Sequence, residues 1–200
     1  MEKLRLGVLI SGRGSNLSAL IKATRDTAYP AEIKLVISNV PTALGLDLAK
    51  EANLSVAVID HRDFDSRTTF EAALTAALQA AGVQLICLAG FMRVLTADFV
   101  DAWPGRIINI HPSLLPAYKG LHTHERVLAA GEVETGCTVH YVSAELDAGS
   151  IILQKTVPVL SGDTPDTLAA RVLVQEHLCY PEAVRQIAEM NLANLCETVQ

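Results

Sequence analysis

The sequence predicts an α/β fold, a mostly parallel sheet with flanking helices and a late antiparallel hairpin. Three observations carry that expectation. Short runs rich in Val, Ile and Leu recur as far as Ile110, and helix-patterned stretches rich in Ala, Leu and charged residues alternate with them. After about residue 135 two strand-like runs are joined by too few residues to hold a crossover helix.

The apolar runs are Leu4–Ile10, Ile33–Ser38, Val56–Asp60, Leu85–Ala89 and Arg106–Ile110. They are nearly continuous rather than alternating, as strands covered on both faces should be. The predicted helices between them are Ser15–Thr24, Ala43–Ala52, Ser66–Ala81 and Thr96–Trp103. The late hairpin pairs Cys137–Ser143 with Ile151–Val159, and a last helix is expected from Pro165 to Met190. Asp163 or Thr164 would cap that helix, with Pro165 in its first turn. No repeat, low-complexity tract or linker interrupts the pattern, so one domain over residues 1–200 is expected.

Composition narrows the function. The chain has 200 residues, half of them hydrophobic and 19% charged, which suits a globular protein with a real core. A formal charge of −6 offers no general attraction to nucleic acid or an anionic membrane, and nine scattered aromatic residues make a poor platform for stacking bases. Cys87, Cys137, Cys179 and Cys196 are widely spaced, so reduced core thiols in a cytosolic protein are expected over two disulfides in a secreted one. The apolar run ending at Ser11-Gly12 is too short for a signal-peptide core or a membrane span. A cytoplasmic protein acting on small molecules is the expectation, with no nucleic-acid or membrane partner.

Ser11-Gly12-Arg13-Gly14-Ser15-Asn16 follows the first strand and opens the first helix. Glycines allow the sharp turn, and free amides at the helix start can cradle an anion; a turn that binds nothing is the plainer alternative. A dinucleotide fingerprint would need a third glycine where Leu17 stands and an acidic residue after the second strand, where the chain reads Ser38-Asn39-Val40. A phosphate monoester on a smaller ligand fits better.

Asn109 and His111 stand two apart on a predicted strand, so both side chains leave the same face, and Pro112 ends the strand. An amide and an imidazole side by side can donate to one developing oxyanion. Asp147, in the hairpin connection, is a candidate carboxylate that would favour the imidazolium form. Each also has an ordinary reading, as a strand-end histidine or a turn aspartate. His122-Thr123-His124-Glu125 is weak evidence for a metal and reads better as a polar helix start, so no metal is expected.

At these residues the chain resembles the folate-dependent phosphoribosylglycinamide formyltransferases of purine synthesis. The markers, in order, are Leu9-Ile10-Ser11-Gly12 with Gly14-Ser15-Asn16, Ala89-Gly90-Phe91-Met92-Arg93, Asn109-Ile110-His111-Pro112-Ser113-Leu114-Leu115-Pro116, Gly120-Leu121-His122-Thr123-His124, Glu145-Leu146-Asp147 and Gln175-Glu176-His177. Lys119, where many relatives carry proline, and Ala148, in place of a glycine, depart from the pattern. The resemblance implies a Rossmann-like formyltransferase fold with a phosphate-binding N-terminal half (about 1–100) and a folate and catalytic half (about 85–190). By the same resemblance Gly14, Ser15 and Asn16 bind the substrate phosphate and Glu176 approaches its glycinamide. Arg67, Phe91, Met92, Arg93, Val94 and Leu95 line the folate site together with Asn109 and Asp147, and Asn109, His111 and Asp147 form the catalytic trio.

The implied reaction is direct transfer of the formyl group of 10-formyltetrahydrofolate to the amine of the glycinamide, without a metal, by a monomer or homodimer. A transfer-RNA formyltransferase would bring a basic surface and a further domain, and a formyltetrahydrofolate hydrolase would have no use for the phosphate turn. A silent binding module would not need the polar trio, and a nicotinamide oxidoreductase lacks its fingerprint.

Overall fold

Central strands whose side chains alternate between two covered faces organise the molecule. The computed structural model describes residues 2–197, with side chains through Met190, so Met1 and residues 198–200 of the expected unit lie outside it. Strand β1 (Leu4–Ile10) sends Leu6, Val8 and Ile10 to one face and Leu9 to the other, and β4 (Leu85–Leu88) divides Leu85 and Cys87 from Ile86 and Leu88 in the same way. Each face is buried by its own helices, which is why these strands read as unbroken apolar runs.

One apolar layer joins the sheet to α1 (Ser15–Thr24), α2 (Gly45–Glu51), α5 (Thr123–Ala129) and α6 (Pro165–Glu197). The other joins it to α3 (Arg67–Ala80) and α4 (Ala97–Ala102), through Phe70, Leu74, Leu78, Phe99 and Trp103. The remaining strands are β2 (Ala31–Ser38), β3 (Val56–Val58), β5 (Ile107–His111), β6 (Glu134–Tyr141) and β7 (Ile151–Pro158).

The seven strands lie in the order β3-β2-β1-β4-β5-β6-β7. The first five are parallel, and β6 runs antiparallel to both β5 and β7. The mostly parallel sheet with a late hairpin is thus as expected. Chain direction around the sheet reverses between β1 and β4, and in open α/β sheets ligands gather beyond the strand ends at such a point. The glycine turn follows β1 and the segment after Ala89 follows β4, and the Ser11 amide donates to the Gly90 carbonyl at 3.1 Å.

Several element ends differ from the sequence reading, among them β6, which runs Glu134–Tyr141 rather than Cys137–Ser143, and three of the differences have identifiable reasons. The third strand stops at Val58 because the Asp60 carboxylate turns back to accept from the Arg62 amide at 3.0 Å, capping a short 3-10 turn. The fifth strand extends to His111 because β6 pairs with it that far, His111 against Thr138. The last helix continues past Met190 to Glu197, a stretch without Gly or Pro to stop it. At its start Thr164 accepts from the Thr167 amide, while Asp163 holds Arg171.

That helix is also pinned under the site. Tyr180, fully buried, shares its hydroxyl proton between the carbonyls of Leu88 (3.0 Å) and Ile108 (3.2 Å), tying α6 to the two strands whose ends carry the rim. Cys87, Cys137 and Cys179 are buried free thiols.

Candidate active site

The glycine turn is shaped by close approach. Gly14 has φ 75°, in the left-handed region, and a Cβ there would come within 2.7 Å of the Gly45 Cα, so only glycine fits where α2 touches the turn. Helix α1 then begins with no side-chain cap and no acidic residue in its first turn. Its first amides, with Ser15 at their edge, suit an anionic group.

Asn16 is turned inward, and its Nδ2 donates to Glu176 Oε2 at 2.7 Å. The pair is buried, so the residues expected at the phosphate and at the glycinamide adjoin one another. Asn16 Oδ1 is buried and unpartnered. It is an acceptor and therefore suits a hydroxyl or amine hydrogen rather than a phosphate oxygen. Burial pushes the Glu176 carboxyl above its ordinary value of 4.5, with the Asn16 hydrogen bond opposing the shift.

A carboxyl raised on folding contributes stability below its unfolded pKa and loses it as pH rises through the folded one. At neutral pH the ionised Glu176 is therefore a cost. Glu176→Gln keeps an acceptor for Asn16 and removes the charge, so its thermal midpoint should exceed the wild type's at pH 8 and match it near pH 4. A midpoint lowered at both pH values, read by calorimetry, contradicts this account of Glu176.

At the end of β5 the polar trio converges. His111, 5% exposed, has Nδ1 at 3.3 Å from Asp147 Oδ2 and Nε2 at 3.0 Å from the Tyr118 carbonyl. The Tyr118 carbonyl thus takes Nε2 as its hydrogen-bond partner, and the Asp147 carboxylate stands beside Nδ1, placed to favour positive charge on the ring. Asp147 Oδ2 also accepts from the Gly120 amide at 2.9 Å, and the aspartate has φ 49°, a left-handed conformation that Asp tolerates better than most side chains. Nearby, a Cβ on Gly149 would collide with the Tyr141 carbonyl oxygen at 1.8 Å, so glycine lets the hairpin connection lie against β6.

His140 is a participant that the sequence reading missed. Pairing of β6 with β5 sets it opposite Asn109, whose Nδ2 lies 3.2 Å from His140 Nε2. The His140 Nδ1 lies 2.9 Å from the Tyr141 carbonyl. These partners define one tautomer: Nδ1 donates to the carbonyl, and Nε2 accepts from Asn109. Burial lowers the His140 pKa, in keeping with a neutral ring. One hydrogen of the Asn109 amide is thus spent on His140, and the other is left for the site. The only sequence signal was a polar residue within a buried run of β6.

The folate-assigned residues divide. Met92 and Val94 are exposed, Arg93 and Leu95 half-buried, and Arg67 is exposed at the start of α3. Phe91 is in the core with Leu9 and Phe99, so its ring serves packing more than a ligand. Among the described residues no group of three or more His, Cys, Asp or Glu is placed to hold a metal, and no helix is long and apolar enough to cross a membrane.

A glycine turn, an uncapped helix start and an amide-imidazole-carboxylate cluster stand together on one rim, where the first suits an anion and the last a reacting carbonyl. The chain matches the formyl transferase family over residues 4–184 and belongs to it. It is 42% identical to the phosphoribosylglycinamide formyltransferase of Escherichia coli (strain K12), over 94% of this chain and 89% of that protein. It is 54% identical to the trifunctional purine biosynthetic protein adenosine-3 of Drosophila melanogaster over 93% of this chain, and spans 14% of that relative's length. The crystal structure of phosphoribosylglycinamide formyltransferase from Brucella melitensis superposes with a TM-score of 0.90 at 48% identity, covering 94% of this chain and 96% of that one.

Proposed function

We propose that this chain transfers the formyl group of 10-formyltetrahydrofolate to the amine of N1-(5-phosphoribosyl)glycinamide, giving the formylglycinamide ribonucleotide of purine synthesis. The observation that carries this reading is the His111–Asp147 pair beside Asn109, on the rim that also carries the glycine turn.

Gly14, Ser15 and Asn16 receive the phosphate on the first amides of α1. Glu176, held by Asn16, meets the glycinamide end. The folate lies along Met92–Leu95, with Phe91 beneath, Arg67 at one side, and Asn109 and Asp147 near its formyl group. The neutral amine attacks the formyl carbon, and negative charge gathers on the formyl oxygen. The free hydrogen of Asn109 donates to that oxygen. With Nε2 held by the Tyr118 carbonyl and Asp147 beside Nδ1, His111 contributes its positive charge in this arrangement. Donation from its ring would require a substrate oxygen to replace the Tyr118 carbonyl. Asp147 maintains the charge, and a proton leaves the attacking nitrogen through water for the departing folate nitrogen.

The buried free thiols support a reducing, cytoplasmic setting, and the chain acts as a monomer or homodimer within one domain. The test mixes protein, glycinamide ribonucleotide and 10-formyltetrahydrofolate, following tetrahydrofolate by absorbance and formylated ribonucleotide by mass spectrometry. Equal formation of the two products is expected. Deformylation independent of the ribonucleotide, or no turnover by folded protein, overturns the proposal.

A further inference from the structure

The segment from Gly90 to Thr96 crosses the rim as an exposed strap, with Met92 73% exposed, yet both its ends are held by polar groups from other elements, half-buried Ser11 and buried Glu71. At the first end Ser11 acts twice. Its amide donates to the Gly90 carbonyl at 3.1 Å, and its Oγ accepts from the Met92 amide at 2.8 Å. The hydroxyl proton goes to Asn39 Oδ1 at 2.6 Å, which fixes the acceptor lone pairs toward the strap. At the other end Glu71 accepts from the Thr96 amide at 2.8 Å and from the Thr96 hydroxyl. Thr96 in turn caps α4 by accepting from the Phe99 amide at 3.3 Å.

Glu71 is a carboxylate only 5% exposed on α3, and among the described residues no cation pairs with it. Burying a carboxylate is expensive, and two charge-assisted hydrogen bonds to a single residue are what offset it here. A neutral side chain would serve α3 packing more cheaply. What the carboxylate adds is a fixed distance between α3 and the end of the strap. Arg67 stands four residues before Glu71, one turn earlier on the same side of α3. The link therefore sets Arg67 and Met92–Leu95 in register with each other, while Ser11 sets the strap against the phosphate turn.

We infer that Glu71 is a positioning residue for the folate, holding the strap through Thr96, and that Ser11 is its counterpart at the other end. This rests on the folate lying along the strap, as proposed above. Glu71 touches neither substrate, so its loss should act on one ligand alone. Ser11 belongs also to the glycine turn, so its loss should act on both.

The experiment is calorimetric titration of the full chain with 10-formyltetrahydrofolate alone and with glycinamide ribonucleotide alone, supported by steady-state kinetics. Loss of the charge-assisted contact in Glu71→Ala should weaken folate binding by about tenfold and leave ribonucleotide binding unchanged. KM for the folate should rise by more than kcat falls. Glu71→Gln, which still accepts from the Thr96 amide, should recover most of the affinity, and Thr96→Val should fall between them. Ser11→Ala should weaken both ligands.

Folate affinity within twofold of wild type in folded Glu71→Ala, or in Thr96→Val should the alanine variant not fold, overturns the inference. So does an equal loss for the two ligands in either variant. Wild-type protein that binds the ribonucleotide but not the folate overturns the folate assignment itself, and this inference with it.

Discussion

Asn109→Ala is expected to lower kcat by about a hundredfold to a thousandfold, the usual scale for removing one oxyanion donor. The amide is anchored at one hydrogen by His140 Nε2 at 3.2 Å, so the remaining hydrogen is already aimed before substrate arrives. A donor fixed in advance costs no reorganisation when charge develops, which is why a single neutral amide can matter so much. The variant leaves His140 Nε2 without its donor, at about 1–3 kcal/mol for a buried unsatisfied group. Such a loss is tolerable for a domain of ordinary stability. Circular dichroism should therefore report a native fold and single-turnover kinetics a slow chemical step. Near-native kcat would remove Asn109 from the chemistry. His111→Ala should show the same pattern of retained fold and lost turnover.

Asp147→Asn should cost still more, on the order of a thousandfold to ten-thousandfold in kcat, the scale seen when the carboxylate behind a catalytic imidazole becomes an amide in serine proteases. The geometry isolates charge as the cause. The His111 Nδ1 and the Gly120 amide both face the same oxygen, Oδ2, at 3.3 and 2.9 Å. An asparagine oxygen placed there still accepts from the Gly120 amide and lies beside His111 Nδ1, and its amide nitrogen then faces His140 Nε2, 3.7 Å from the present Oδ1. Shape and hydrogen bonds survive, and only the negative charge is lost. With it goes the only carboxylate among the described residues beside the His111 ring, on which the proposed positive charge depends. A kcat within tenfold of wild type, with the thermal midpoint preserved, would show that the charge on His111 is not what the reaction uses.

Much of this framework was legible in residue order. Buried parallel strands need apolar side chains on both faces, so Leu4–Ile10 and Leu85–Ala89 announced themselves as strands. The short connection between Ser143 and Ile151 excluded a helix there. Asn109 and His111 were legible as a pair because strand geometry puts residues two apart on one face. Asp147 entered as a candidate because a nearby carboxylate suits a charged imidazole, and its 3.3 Å approach to His111 gives that idea a geometry.

His140 was not legible, because its role depends on β6 pairing with β5 as well as with β7, and on a register that sets it across from Asn109. Slipped by one residue, its side chain would leave the opposite face. Glu71 was hidden for a similar reason. On α3 it reads as one more surface carboxylate, and only the packing of α3 against the start of α4 brings Thr96 to it across 25 residues. Phe91 sat inside a recognisable motif, yet its burial beside Leu9 depends on how the strap folds over β1 and β4.

By itself, then, the sequence determined the alternation of elements, the rim chemistry of the glycine turn and of Asn109 and His111, and the family the chain resembles. These follow from periodicity and local spacing, which act within a few residues. Tertiary structure alone decided which hydrogen of Asn109 stays free, what stands beside each nitrogen of His111, and what holds the strap at its two ends. Those are contacts between distant segments. Their partners are chosen by sheet register and helix packing, which no local pattern encodes.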